Sequence, residues 1–516
     1  MDFPSLLRKS CRMYRDNLIV TFEDHTQTYG QLWDRSCRLA NALLDLGVRP
    51  GDRVGVLTDN RPESVELVTG LAMGNFVRCA LYTQNTADVH GYMLRMLGAR
   101  AVIVEDRHLA GVLSIADQVP SLERVIVVGE ASGGSSAARY EDLLTAAAAT
   151  DPQVPVDPDD DHVIRFSAGT TGRPKGILFS TAGWLAHTEH NMLYGPPVEA
   201  GDAYLVAGPM SHASGLPLWQ VVMKGGRFVV LRAFDPKLYL ETAERERAVH
   251  TLLVPTMIQM LAAVPDAESY DLSSFKMVRY GAAPISEKTL LAGLGLWGNV
   301  MYQLYGQSEV LDGTVLPPCD HRPEGTERER RWLRSAGRPA PGSILTIRDD
   351  DGNELPTGEI GEICLKSPAT MKAIWGDPEA TVARFTADGA VRTRDMGYLD
   401  EDYYLYIVDR KEDMIISGGF NIWPLEIENA LIAHPAVYEA AVVGVPDDKW
   451  GEAVLAAVVL VEGHQATEEE LLDWAREKVG SIKKPKRIVI STQPLPKSPV
   501  GKLMRRQVRE TYAATV

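Results

Sequence analysis

Ser167-Ala168-Gly169-Thr170-Thr171-Gly172-Arg173-Pro174-Lys175-Gly176 is the stretch on which the fold turns. It follows a short apolar run, Val163 to Phe166, that reads as the end of a strand. Glycines let backbone N–H groups approach an anion closely, and Thr170 and Thr171 add hydroxyl donors. Lys175 supplies a positive charge on the same loop. Donors and a cation placed this way suit a polyphosphate. The Walker loop of kinases and ATPases has four residues between its first glycine and a Gly-Lys-Ser/Thr end. Here Lys175 follows Pro174 and lies three after Gly172, so the loop is of another kind and points away from phosphoryl transfer.

Length and composition bound the answer. A chain of 516 residues suggests two or more domains. Hydrophobic content of 45% and charged content of 24% are those of a globular protein, not a disordered one. A net charge of −16 argues against a general nucleic-acid surface. The five cysteines are scattered with no CxxC pair, which suits a reducing compartment and offers no metal-site spacing. The charged N-terminus lacks a signal core, and the apolar run Ala453 to Val461 is too short to span a bilayer and reads as a buried strand. The expected location is the cytoplasm, with no membrane span.

The first 160 residues alternate helical and strand patterns. Leu18 to Phe22, Arg53 to Leu57 and Ala101 to Val104 read as extended, and Tyr29 to Leu46 as an amphipathic helix. Such alternation predicts parallel sheets with covering helices. Gly129 to Ser136 and the Asp- and Pro-rich Asp151 to Asp161 read as surface loops. Tyr398 to Val408 reads as a hairpin with an acidic turn. Beyond Arg410 a smaller unit follows. Pro424 opens a helix through Ile432, Val437 to Val445 reads as a strand, and Thr467 caps a helix to Val479 with Glu470 in capping-box position.

Further motifs carry chemistry. Tyr280-Gly281-Ala282-Ala283-Pro284 follows a strand, and its small residues let a flat ring lie against the backbone, although alone it reads equally as an ordinary turn. In Tyr305-Gly306-Gln307-Ser308-Glu309 the tyrosine can stack on a base, Ser308 can bond a phosphate, and Glu309 is a hard oxygen ligand suited to Mg²⁺. Thr393-Arg394-Asp395 and Asp409-Arg410-Lys411-Glu412 follow; charge runs like the second are commonly solvated turns. Gly418 and Gly419, after the apolar Ile415-Ile416, allow close passage of a ligand. Lys502 stands on the glycine-containing loop Pro496 to Lys502, where a lysine can enter a site and leave it.

In this order the motifs resemble those of the adenylate-forming superfamily, and the chain is identified as similar to its acyl-CoA synthetases. The resemblance spans Phe166 to Lys502. It implies an α/β fold: a large N-terminal domain with parallel-sheet layers and a β-barrel-like subdomain, residues 1–409, then a small mobile α+β lid, residues 410–516, with the hinge near Glu412. It implies an acid–thiol ligase. A carboxylate would attack the α-phosphate of Mg·ATP, and the CoA thiol would then take the acyl group and expel AMP. ATP/AMP, CoA and Mg are the expected cofactors, with Glu309 as metal ligand. Ser167, Gly169, Thr170, Thr171, Gly172 and Lys175 would hold phosphates. Gly281, Ala282 and Ala283 would form the adenine shelf, beside Tyr305, Gly306, Gln307 and Ser308. Asp395 and Arg410 would reach the ribose. Lys502 would stabilise the adenylation transition state, and Gly418 and Gly419 would line the pantetheine tunnel. Amino-acid adenylation domains place aspartate where His212 stands here, so the substrate is expected to be a fatty, aromatic or polycyclic acid. A carrier protein is a possible acceptor, and a homodimer a possible assembly.

Three departures fall in the adenylation machinery: Ala168, Ser308 in place of threonine, and Arg394 in place of a glycine or small residue. They raise the alternative of a ligase weak in its first half-reaction. In that reading Arg394 crowds the ribose region or pairs with Asp395. An acyl-AMP ligase feeding a carrier protein, a luciferase-like oxygenase and an adenylate-binding protein without activity are the other competing classes.

Overall fold

Two large sheets face one another across a shared apolar core in the computed structural model of the chain, which describes residues 1–130, 137–167, 174–497 and 503–513. Among the described residues one sheet has eight strands. Six of them run parallel from Asp161–Ser167 through Val77–Ala80, Arg53–Leu57, Ala101–Glu105 and Arg124–Val128 to Ala138–Arg139, and Lys175–Ser180 adds antiparallel to Asp161–Ser167. The second has nine strands. Its parallel centre runs from Met301–Tyr305 through Met277–Gly281, His250–Leu253, Ala203–Val206 and Arg227–Val230 to Leu18–Phe22, with antiparallel strands at both edges. Parallel strands need covered faces on both sides, which explains their near-continuous apolar runs.

Helices are placed by readable caps. Asp2 accepts from the Ser5 N–H at 2.7 Å and opens Phe3–Met13, with Pro4 in the first turn. Thr28 and Gln31 close a capping box on Tyr29–Asp45. Phe3 stacks on Trp219 at 4.4 Å, and with Val163, Phe179 and Phe228 they fill the space between the sheets.

The expected barrel-like subdomain is built on a four-stranded antiparallel sheet that includes the hairpin Val391–Leu399 and Leu405–Arg410. The C-terminal unit has its own five-stranded sheet and core. Pro424–Ile432 is helical as expected, and the Thr467–Glu470 capping box opens Glu468–Lys483. Arg505, from the last helix, ties this unit together. Its guanidinium meets Glu428, Asp409 and Asp413 at 2.7 to 2.9 Å. No helix among the described residues is long and apolar enough to cross a membrane.

Candidate active site

The carboxyl ends of parallel strands are where such sheets bind ligands. Met277–Gly281 and Met301–Tyr305 are neighbours in register, with Gly281 opposite Leu304, so Ala282 and Tyr305 emerge side by side. A Cβ on Gly281 would stand 2.2 Å from the Leu304 carbonyl oxygen, and one on Gly306 2.3 Å from that of Leu311. Both glycines are therefore required by close backbone approach. Ala282 follows with φ +64°, and Ala283 is half-buried in the same turn. Ser308 is partly buried between Gln307 and Glu309.

Asp395 gathers the site. The Tyr305 hydroxyl donates to its Oδ2 at 2.8 Å, and Gln307 Nε2 donates to the same oxygen at 2.6 Å. Gln307 also donates to the Thr393 carbonyl at 2.8 Å. Arg410 Nε stands 3.5 Å from the other oxygen, Oδ1. Asp395 and Arg410 are paired in register across the hairpin. Burial, then the Asp395 charge, hold the Tyr305 phenol well above its ordinary range, so it stays a donor. This cluster joins the nine-stranded sheet to the antiparallel subdomain.

Glu309 is 8% exposed and is paired with Arg384 at 2.8 Å. Arg384 Nη1 is buried without a hydrogen-bond partner among the described residues. An oxygen-rich anion would satisfy that nitrogen, and Glu309 brings the hard carboxylate that Mg²⁺ prefers. The residues present fit a metal–polyphosphate ligand.

Ser167 and Lys175 face each other at the open end of the hairpin Asp161–Ser167 and Lys175–Ser180. Gly169, Thr170, Thr171 and Gly172, with Ala168, lie outside the described residues. Lys502 does as well. His212 is partly buried. Its Nδ1 lies 3.1 Å from the Tyr82 hydroxyl, which also donates to the Phe166 carbonyl at 2.6 Å. Tyr82 thus ties the histidine turn to the strand that leads into the phosphate loop.

Gly418 and Gly419 form the two-residue turn of the hairpin Ile415–Ser417 and Phe420–Ile422, with φ +58° and +82°. A turn with two positive φ values explains both glycines locally. The turn is exposed, and a Cβ on Gly418 would stand 2.5 Å from Trp450 Cε3.

Arg394 corrects one expectation. Its guanidinium is paired with Glu412 rather than with Asp395. Its Nη1 reaches Glu412 at 2.9 Å, its backbone N–H donates to Glu362 at 3.1 Å, and its φ is +62°. The left-handed backbone is the physical reason a glycine suits this position. Two lysines of the C-terminal unit that could meet CoA phosphates are engaged elsewhere: Lys483 is held by Glu426 and Lys486 by Asp447. Trp219 and Tyr280, whose size and place would suit pocket walls, are core residues at 1% exposure, and the Tyr280 hydroxyl lies 2.8 Å from His321 Nε2.

Spacing alone does not reveal Tyr82, Arg384 or Arg165. Arg165 carries a signal, a charged residue inside an apolar strand, whereas the other two acquire meaning only from through-space partners.

The profile of the family described as AMP-binding enzyme matches residues 7–375, and that described as AMP-binding enzyme C-terminal domain matches residues 426–502. A medium/long-chain-fatty-acid–CoA ligase, FadD8 of Mycobacterium tuberculosis, is 34% identical over 98% of this chain and 89% of its own length. A fatty acid–[acyl-carrier-protein] ligase, ScoC of Streptomyces coeruleorubidus, is 33% identical over 96% and 93%. The ATP-bound crystal structure of MatB from Rhodopseudomonas palustris superimposes with a TM-score of 0.88 at 27% identity, covering all of both chains.

Proposed function

The chain belongs to the family of AMP-binding enzymes, AMP-forming acid–thiol ligases, and on that premise we propose that it activates a carboxylic acid with an apolar body as the acyl-adenylate and transfers the acyl group to the CoA thiol. The observation that carries the reading is the convergence of Tyr305, Gln307 and Arg410 on Asp395, beside the buried Glu309. Enzymes of the family use ATP, CoA and Mg.

A free carboxylate is a poor electrophile and a mixed anhydride with AMP is a good one, so activation must precede transfer. A carboxylate such as Asp395 can accept from ribose hydroxyls, and Tyr305 and Gln307 fix its rotamer. Ser167 and Lys175 flank the phosphate loop, whose Gly169, Thr170, Thr171 and Gly172 would bind the leaving pyrophosphate. Glu309 would hold the magnesium, which supplies charge neutralisation to the phosphates. Lys502 would serve adenylation and the Gly418–Gly419 turn thioester formation. One lid cannot present both at once, so in this reading the unit after residue 409 is a mobile domain turning near Glu412.

The carrier-protein alternative draws support from the Streptomyces relative. Arg394 pairs with Glu412 and not with Asp395, which takes away one argument for a weak first half-reaction. A mass-spectrometric screen of acids with ATP tests the proposal. Acyl-AMP without CoA and acyl-CoA with it support the reading. Transfer to a phosphopantetheinyl protein alone replaces the acceptor, and absence of any acyl-AMP overturns the assignment.

A further inference from the structure

The Tyr82 hydroxyl has one proton and two neighbours. It stands 2.6 Å from the Phe166 carbonyl oxygen and 3.1 Å from Nδ1 of His212. A carbonyl oxygen has no proton to give, so the short contact to Phe166 needs the phenolic hydrogen between the two oxygens. The Tyr82 oxygen is then left with a lone pair toward the ring, and Nδ1 of His212 must be the donor across that contact. In the neutral imidazole the other nitrogen, Nε2, carries the lone pair. Gain or loss of a proton by this ring therefore takes place at Nε2, while Nδ1 keeps its hydrogen.

The surroundings hold this arrangement in place. Burial keeps the Tyr82 phenol above its ordinary range, against the pull of the Arg165 charge, so the hydroxyl retains its proton. The Tyr82 carbonyl accepts from the Asn85 N–H at 3.0 Å and lies 2.8 Å from Nε2 of the buried His90. The rings of Tyr82 and His212 meet edge to face, with centroids 5.4 Å apart. The histidine turn is clamped from the other side. The Asn60 amide donates to the carbonyls of Gly208 at 2.9 Å and Leu231 at 3.0 Å, and its oxygen accepts from the Met210 N–H at 2.8 Å. A Cβ on Gly215 would stand 2.0 Å from the Met210 carbonyl oxygen, so the turn closes only around a glycine. His212 itself is partly buried, not sealed in the core.

The proposed ligase receives two reactants in turn, and they differ in what they offer a lone pair. The carboxylate ion brings only acceptor oxygens, which a lone pair on Nε2 repels. The CoA thiol brings a proton, which the same lone pair attracts. A neutral imidazole protonated on Nδ1 is thus matched to the second reactant.

We propose that Tyr82 is a positioning residue that fixes His212 with its proton on Nδ1, and that Nε2 of His212 takes the thiol proton in the second half-reaction. This deepens the ligase reading above and rests on it. The sulfur forms its bond to the acyl carbon. The bond from that carbon to the phosphate oxygen breaks, and AMP leaves with the electron pair. The S–H proton passes to Nε2, and the imidazolium returns it to solvent. Its Nδ1–H stays on the Tyr82 oxygen throughout, which holds the tautomer as the acid of a hydrolase triad does. The run of bonds from His212 through Tyr82 ends on the carbonyl of Phe166, the residue before Ser167, so each bond polarises the next.

The test uses the full-length enzyme with octanoate as the probe acid. Octanoate with ATP reads pyrophosphate release, and synthetic octanoyl-AMP with CoA reads the second step alone. Tyr82→Phe keeps the ring and loses the hydroxyl. It should lower kcat for CoA consumption by about tenfold or more with little change in KM, and by a clearly larger factor than it lowers pyrophosphate release. His212→Asn keeps an amide donor near the place of Nδ1 and has nothing at Nε2. It should lose about a hundredfold or more in the same step. Nitrogen-15 spectra of labelled histidine give a readout that a merely structural role would not move. The ring signal that vanishes in His212→Asn should show a protonated Nδ1 and a bare Nε2 in its neutral form, and Tyr82→Phe should shift it toward a mixture of tautomers. A bare Nδ1 in the wild type overturns the inference. So does a His212 signal unaltered in Tyr82→Phe, and so does a loss of pyrophosphate release as large as the loss of CoA consumption. Those three outcomes leave the ligase reading standing. No pyrophosphate from octanoate or from any other acid of the screen fails the ligase reading itself, and the inference with it.

Discussion

Arg384 donates from its guanidinium to Oε1 of Glu309 at 2.8 Å, and both side chains are 11% exposed. The proposed metal ligand is thus already paired with a cation. Arg384→Met removes that competitor. The variant should need less Mg²⁺ for half-maximal pyrophosphate release. It should also be destabilised by about 3–5 kcal/mol, because a buried carboxylate has lost its partner. A magnesium titration and urea melts check both. An unchanged magnesium requirement would show that the pair is purely structural.

Arg394 occupies the left-handed region at φ +62° and reaches Glu412 at 2.9 Å. Two effects can be separated by substitution. Arg394→Ala loses the ion pair and keeps the strained backbone. Arg394→Gly loses the pair and relieves the strain. The glycine variant should be the more stable of the two by about 1 kcal/mol. Urea denaturation midpoints decide it, and equal midpoints would remove the strain argument.

Sequence is a good guide to this protein where local chemistry decides structure. The Thr467–Glu470 box, Pro424 and the alternating pattern from Leu18 onward place helices and strands close to where they lie, because caps and periodicity act over a few residues. The proposed nucleotide motifs can be picked out for the same reason: each is a compact string, most of them at a strand end. What sequence hides is through-space pairing. Nothing near Arg384 announces Glu309, 75 residues away, and nothing near Tyr82 announces His212, 130 away. The orientation of Arg394 departs from expectation because its direction follows from a φ value and not from its identity.

His162 is buried against Phe3, with ring centroids 4.3 Å apart. Burial first, and the Arg78 charge second, depress it from 6.5 to about 3. The folded protein keeps this ring neutral, whereas the unfolded chain protonates it below about pH 6.5. The unfolded state then binds more protons, so stability is full above that pH. It falls as pH drops toward about 3, by up to about 1.4 kcal/mol per pH unit. Urea midpoints measured between about pH 7 and about pH 5 should decline in the wild type. His162→Phe, which keeps the stack, should flatten the decline. An unaltered slope would mean that the imidazole titrates normally.

Gly419 and Lys502 should fail in opposite half-reactions. Gly419 is exposed at φ +82°, and a Cβ added there would meet no atom within 4 Å, so a larger side chain folds at modest backbone cost and projects from the turn. If that turn enters a thiol tunnel, Gly419→Leu forms acyl-AMP at a near-normal rate and yields little acyl-CoA. Lys502→Ala should do the reverse: slow adenylate formation by two orders of magnitude or more, on the scale of losing one transition-state donor, with near-normal thioester output from supplied acyl-AMP. Separate assays of pyrophosphate release and of CoA consumption from synthetic adenylate read the two steps. Two different surfaces of one lid must take turns at a single centre for this crossed pattern to arise. Equal damage to both steps in either variant would instead place that residue where it serves throughout the cycle, and the lid would have no need to move.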